Sequence, residues 1–226
     1  KIKPQAILVM GDGTTVNLKD TSSLASLVST KVALSANKEI LTYTEGSVDT
    51  VMEFHTMKIP RGGEYVLVLS DGTTVYLNAE SELTYPVKFS GKDRRVYLKG
   101  EAYFEVERDT CKPFIVEANS LEIQVLGTEF GVRAYGDEEC VRTTLKKGKV
   151  SVESEGCGVI LTPNMQASFD KKTSQMDVWE VNVDLFLGWK DGRLIFDNCS
   201  LEDILKDLGK WYDFDVRYAR EDARLI

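Results

Sequence analysis

Apolar residues occupy every second position along much of the first 180 residues. The clearest run is Val96, Leu98, Gly100, Ala102, Phe104 and Val106, a period of two that predicts a strand with one buried face. Gly100 interrupts that face and predicts a bulge or bend. Tyr97, Lys99, Glu101, Tyr103 and Glu105 form the opposite face, which reads as mixed and solvated. Leu121, Ile123 and Val125 predict another short strand, and Gly127 and Gly131 bracket the next. Val141, Thr143 and Leu145 precede Lys147-Gly148, and Val150 and Val152 follow it, the pattern of a hairpin. Pro60, Pro86, Pro113 and Pro163 sit at the breaks, where a missing N–H does least harm.

Two stretches resemble each other. Residues 9–24 read VMGDGTTVNLKDTSSL and residues 68–83 read VLSDGTTVYLNAESEL. Each predicts a strand, a tight Asp-Gly turn and a returning strand, because Gly tolerates positive φ and Asp bonds its own backbone. The fold expected is mainly β: an antiparallel sandwich or roll with an internal β pseudo-repeat.

Near the C-terminus the period changes. Leu201, Ile204, Leu205, Leu208 and Tyr212 follow helical spacing. Ser200 is placed to cap that helix, with Asp203 three residues on. Arg193–Phe196 before it and Phe214, Val216 and Tyr218 after it read as strands, the start of a small α+β domain. Val181, Val183 and Leu185 fit a last strand or an extended linker. The divisions expected are 1–58, an N-terminal β segment; 59–187, an all-β domain; and 188–226, the incomplete α+β domain. The chain opens on Lys1 without Met and stops at Ile226, so it is expected to be a piece of a longer product, with any targeting or membrane segment upstream.

Charge narrows the function. The formal net charge is -8, and the densest basic run, Lys146-Lys147-Gly148-Lys149, falls at a turn. No basic stripe is available to displace counterions from phosphates, which argues against nucleic acid and against an anionic membrane surface. No run of about 20 apolar residues occurs to span a bilayer. Cys111, Cys140, Cys157 and Cys199 form no C-x-x-C pair; they read as separate buried thiols, with one or two disulfides as the alternative in an oxidising compartment. His55 is the only histidine, so neither a zinc site nor a Ser-His-Asp set can be assembled, and His55 reads as structural. Gly11-Asp12-Gly13 and Arg61-Gly62-Gly63 read as turns rather than phosphate loops. Glu101 and Glu105 would lie about 13 Å apart along one strand, too far for a glycosidase pair. Asp137-Glu138-Glu139 reads as an acidic loop. The expectation is no enzyme, no metal and no cofactor. Trp179, Trp189 and Trp211 are candidates for core packing or for protein contacts.

In order along the chain, several motifs carry a family likeness. They include Pro60-Arg61-Gly62-Gly63-Glu64-Tyr65, Leu69-Ser70-Asp71-Gly72-Thr73-Thr74-Val75-Tyr76-Leu77, Tyr85-Pro86, Gly100-Glu101-Ala102-Tyr103-Phe104-Glu105-Val106, Val125-Leu126-Gly127-Thr128 and Gly148-Lys149-Val150. Together they resemble the FecR family of anti-sigma regulators, of the Bacteroidetes type. The stretch from Trp189-Lys190-Asp191-Gly192 to Tyr218 is similar to the opening of that family's small C-terminal, STN-like domain. The resemblance implies a periplasmic signal-receiving part of a protein anchored in the inner membrane by one helix. Its implied partners are the signalling domain of an outer-membrane TonB-dependent receptor and an extracytoplasmic-function sigma factor, the latter through a cytoplasmic segment not present here. With the aromatic residues of the C-terminal third, it directs attention to Trp189, Leu201, Trp211, Tyr212, Phe214, Val216 and Tyr218 as partner-binding residues, with edge-strand pairing as one mode. The alternatives are a glycan-binding sandwich using Tyr76, Tyr97 or Tyr103, a carboxylate hydrolase using Glu101, and a rigid spacer.

Overall fold

The computed structural model describes residues 3–19, 34–36, 40–43 and 53–217. Their strands form two layers that share one long strand. From edge to edge the first layer runs β3 (Thr15–Asn17), β2 (Ile7–Val9), β6 (Phe54–Lys58), β9 (Glu82–Pro86), the first half of β10 (Arg94–Glu105), β11 (Phe114–Ala118), β12 (Leu121–Val125), β15 (Val150–Ser154) and β16 (Cys157–Leu161). The second runs β4 (Leu34–Ala36), β5 (Ile40–Tyr43), β7 (Gly63–Val68), β8 (Thr74–Leu77), the second half of β10, β13 (Glu129–Ala134), β14 (Cys140–Lys147), β17 (Met165–Asp170) and β18 (Met176–Glu180). A short β1 (Lys3–Pro4) lies parallel to β7. The chain lays hairpins on alternate layers, and the layers enclose one apolar core. Phe104 of the second layer stacks on Phe130 at 5.2 Å and reaches Phe114 of the first at 6.1 Å between centroids.

Gly100 is where β10 changes layers. Tyr97–Lys99 pair with β9 of the first layer, and Gly100–Glu105 pair with β13 of the second. Its φ of +93° disfavours any residue with a Cβ, and a Cβ there would lie 2.5 Å from Ser81 Oγ and 2.7 Å from Ser81 Cα. The bend expected from the sequence is thus a corner between sheets.

The pseudo-repeat is real and spans both layers. Gly13 N–H donates to Met10 O and Thr14 N–H to Asp12 Oδ1 in the first copy; Gly72 N–H donates to Leu69 O and Thr73 N–H to Asp71 Oδ1 in the second. The first copy's turn joins β2 to β3 and the second joins β7 to β8, one in each layer.

Four local expectations need correction. Lys147-Gly148 is no hairpin: β14 pairs with β13 and β17, β15 with β12 and β16, and the chain crosses between layers there. Alternation on both sides of a Gly looks the same for a hairpin and a corner. Gly131 lies inside β13 rather than at its border, and Leu187 packs where its Cβ would be. Residues 1–58 are not a separate segment, because β6 pairs with β9 and β5 with β7 across that boundary. Val183–Leu187 is a short helix, α1, followed by a 3-10 turn over Gly188–Asp191.

Of the strand–helix–strand expected at the end, the helix is present as α2 (Leu201–Tyr212). Ser200 Oγ accepts from Asp203 N–H at 3.1 Å and donates to Asp203 Oδ2 at 2.7 Å, the expected cap. Arg193–Phe196 and residues 214–217 form no strand, and Tyr218 lies outside the described residues.

His55 is structural, as read. It is 1% exposed, with Nδ1 2.6 Å from Tyr43 Oη and Nε2 3.1 Å from Glu53 Oε1, and Tyr43 Oη lies 3.0 Å from Tyr85 Oη. The cysteines are unpaired but not buried: Cys111 and Cys199 are exposed, Cys140 and Cys157 half-buried.

Candidate functional site

The two layers differ in what covers their outer faces. The first presents a solvated row of charges, including Lys58 with Glu82 and Arg95 with Asp93, Glu117 and Glu122. On the second layer, α1, the 3-10 turn and α2 lie over β8, β10, β13 and β14. Tyr103, Leu187, Trp189 and Trp211 make a second, small apolar cluster there, apart from the main core. Lys190 Nζ stands over the Tyr103 and Tyr76 rings at 5.1 and 5.6 Å.

This cover explains the main surprise of the β10 pattern. Glu101 and Tyr103, expected on a solvated face, are 7% and 0% exposed. Glu101 Oε2 accepts from Asn78 Nδ2 at 2.8 Å and lies 3.4 Å from Arg133 Nη1. Burial pushes its carboxyl up, and the Arg133 charge and the Asn78 hydrogen bond only partly offset that.

Arg133 of β13 is the hub. Its Nε donates to both Glu138 oxygens at 3.0 Å, and its Nη2 donates to Glu138 Oε1 at 2.7 Å and to Asp207 Oδ1 of α2 at 2.6 Å. Glu138, expected in a solvated acidic loop, is thus a half-buried partner of Arg133. Around it, Lys206 Nζ meets Asp137 Oδ2 at 2.9 Å. Burial works against the Asp137 charge, but Lys206 and Lys210 outweigh it and hold the carboxyl below its ordinary range. Lys210 Nζ lies 3.4 Å from the Tyr135 ring centroid, 3.7 Å from Asp137 and 3.8 Å from Glu138. Desolvation pulls the Lys210 ammonium down, against the attraction of Asp137. A cleft of about 560 Å³ runs along this joint, walled by Trp179, Phe186 and Phe196 as well as the charged groups.

The far end of α2 is held by the turn between β6 and β7. Arg61 Nη2 donates to Gly209 O at 3.1 Å and Phe214 O at 2.8 Å, its Nη1 donates to Asp215 at 2.8 Å, and Gly62 N–H donates to Lys210 O at 2.8 Å. A cation on the last carbonyls of a helix is favourable both as a cap and against the helix dipole. From the sequence Arg61-Gly62-Gly63 was legible only as a turn, since its partners lie some 150 positions away.

The sequence-predicted partner residues divide. Trp189 and Trp211 come together inside the joint, each 6% exposed. Leu201, Tyr212 and Phe214 face outward at 38%, 58% and 39% exposure, and Val216 is half-buried. The α2 helix therefore binds the β body with its polar side. Ile204, Leu205 and Leu208 join neither apolar cluster among the described residues. Of the possible glycan-stacking tyrosines, Tyr103 is buried under the joint, Tyr76 packs beside it at 5.9 Å, and Tyr97 lies on the other layer, next to Phe54. Among the described residues, no group of three or more His, Cys, Asp or Glu is placed to hold a metal ion.

The family model for the FecR protein matches residues 55–151, and that for the FecR C-terminal region matches residues 193–225. Two crystal structures of a Parabacteroides distasonis protein described as a "putative anti-sigma factor" are similar to this chain. The one at 1.65 Å resolution has 31% identity and a TM-score of 0.67, covering 70% of this chain and 74% of its own. The one at 2.50 Å has 31% identity and a TM-score of 0.68, covering 71% and 75%. A comparison with curated protein sequences found no match. With both family models in order along the β body and its C-terminal helix, and with the solved relative matched along about three-quarters of its length, the chain belongs to the FecR family of anti-sigma regulators.

Proposed function

We propose that this chain is the periplasmic, signal-receiving part of a membrane-anchored FecR-type regulator. Its C-terminal segment engages the signalling domain of an outer-membrane TonB-dependent transducer, and the occupancy of that transducer is relayed to an extracytoplasmic-function sigma factor held by a cytoplasmic segment of the longer protein. The observation that carries this reading is the orientation of α2: Lys206, Asp207 and Lys210 face the β body, while Leu201 and Tyr212, with Phe214 just beyond the helix, face outward. An apolar stripe on a helix suits insertion into a groove, and the acids at its ends, Glu202, Asp203, Asp213 and Asp215, favour a basic rim on the partner. Residues 214–217 form no strand, so the stripe is a better candidate than edge pairing.

The test is calorimetric titration of the chain against isolated signalling domains of TonB-dependent transducers from the same organism. Binding in the micromolar range, weakened about tenfold or more by Leu201→Ala with Tyr212→Ala, supports the reading. No heat at several hundred micromolar, or no effect of the paired substitution, counts against it.

A further inference from the structure

The contact between α2 and the β body is built unlike the rest of the molecule. The strands of the two layers are held by apolar side chains in one continuous core. Here the only large apolar side chain that α2 buries fully is Trp211; Lys210 is buried with it, and Lys206 and Asp207 reach the body as ions. Leu187 and Trp189 complete the small cluster but precede the irregular segment 193–200, so they stay with the body if α2 leaves.

The charges are arranged so that separation strands none of them. Without Asp207, Arg133 still has Glu138 on two faces of its guanidinium and Glu101 on a third nitrogen. Glu101 keeps Asn78, and Glu138 keeps Arg142 at 3.7 Å. Breaking a buried ion pair is costly when it leaves a charge uncompensated; on this surface the compensation is already in place. On the helix side, Lys210 Nζ is buried without a hydrogen bond among the described residues and would regain water on release. The outer acids of the joint are well exposed, Asp137 at 55% beside Lys206 and Asp215 at 84% beside Arg61, so salt reaches them.

We propose that α2 is a releasable latch, clasped by Arg61 at its C-terminal end and by Arg133 at its middle, that comes away from the second layer as a unit while the β body stays folded. Release would uncover Arg133 and Tyr135, which now meet Asp207 and Lys210 of the helix. The latch is a property of this chain whichever partner engages the outer stripe.

Hydrogen exchange read by mass spectrometry on the whole chain tests this, at about 0.05 M and about 0.5 M sodium chloride. The expected result is that protection of 201–212 falls roughly tenfold in high salt, and again in Asp207→Asn and in Arg61→Gln, while β10 and β13 keep theirs. Lys210 should gain reactivity toward an amine-directed reagent in step. Asp137→Lys should loosen the helix, and adding Lys206→Glu should restore it. The proposal is overturned if α2 and β10 lose protection together, if α2 is indifferent to salt and to every variant, or if α2 exchanges faster with Lys210 still unreactive, which is fraying in place. Should Arg61→Gln disturb the β6–β7 turn, loss of β10 protection reveals it, and Asp207→Asn on the helix surface decides alone.

Discussion

Replacing Gly100 with Ala separates two costs that are usually confounded. The first is conformational: φ is +93°, and a Cβ in the left-handed region costs about 1–2 kcal/mol. The second is steric, because the new Cβ would sit 2.5 Å from Ser81 Oγ, 2.7 Å from Ser81 Cα and 2.8 Å from Glu80 O. Two of those three are backbone atoms of the neighbouring strand connection, so no side-chain rotation relieves the clash. Forcing a methyl into a packed site costs about 1–3 kcal/mol more. Ser81 would also have to move from a position where its hydroxyl donates to Glu101 O at 3.0 Å and accepts from Glu101 N–H at 2.8 Å. A total of about 3 kcal/mol corresponds to a fall in Tm of about 6–12 °C for a domain of this size. Gly13→Ala is the control: its φ is +84°, but nothing lies within 4 Å of its Cβ position, so only the conformational cost applies. Thermal and urea denaturation of the two variants, followed by circular dichroism, gives the comparison. If Gly100→Ala costs no more than Gly13→Ala, the corner is not sterically closed and the reasoning fails.

Other substitutions probe the core and its ionisable groups. Phe104→Ala removes a fully buried ring between the layers and should cost about 3–5 kcal/mol by urea denaturation, against under about 1 kcal/mol for the part-exposed Phe54→Ala. Arg94 is 2% exposed and spans Asp71, Lys112 O and Glu107 O at 2.8–2.9 Å; Arg94→Lys cannot reproduce that fork and should cost on the order of 2–3 kcal/mol. Burial holds His55 below its ordinary 6.5, more than Glu53 raises it, so the unfolded chain takes up the proton first. Stability is then full above about pH 6.5 and falls as pH drops toward the folded value; between about pH 7.5 and 5.5 the loss should be smaller in His55→Gln, and equal losses would sink the assignment. Cys111 and Cys199 should react with a thiol reagent in the native state well before Cys140 and Cys157.

The sequence carried local features faithfully and distant ones poorly. The Ser200 cap and the two Asp-Gly turns were legible because every group involved lies within four residues. The alternation in β10 showed that one face is buried, but not that the strand serves two sheets, since period two is the same on either side of a corner. Glu101 looked like a surface residue because α1 and α2, which cover it, start about 80 and 100 positions later. Among the described residues, the six strands before residue 59 are two to five residues long, too short for the pattern to tie them to β7 and β9. The helix itself was plain from its spacing. Its direction of facing was not: apolar periodicity normally marks the inward side, and on α2 Lys206, Asp207 and Lys210 face inward.

The parallel pairing of β1 with β7 has a mechanical side. Lys3 and Pro4 run alongside Gly63 and Glu64, and Gln5 N–H donates to Glu64 O at 3.3 Å. Gly63 follows directly on Arg61 and Gly62, which grip the end of α2. Tension applied along the N-terminal strand would load that short ladder in shear and pass into the Arg61–Gly63 turn before reaching the apolar layers. A pull on one end of the chain and the seating of the helix near the other thus meet in three consecutive residues.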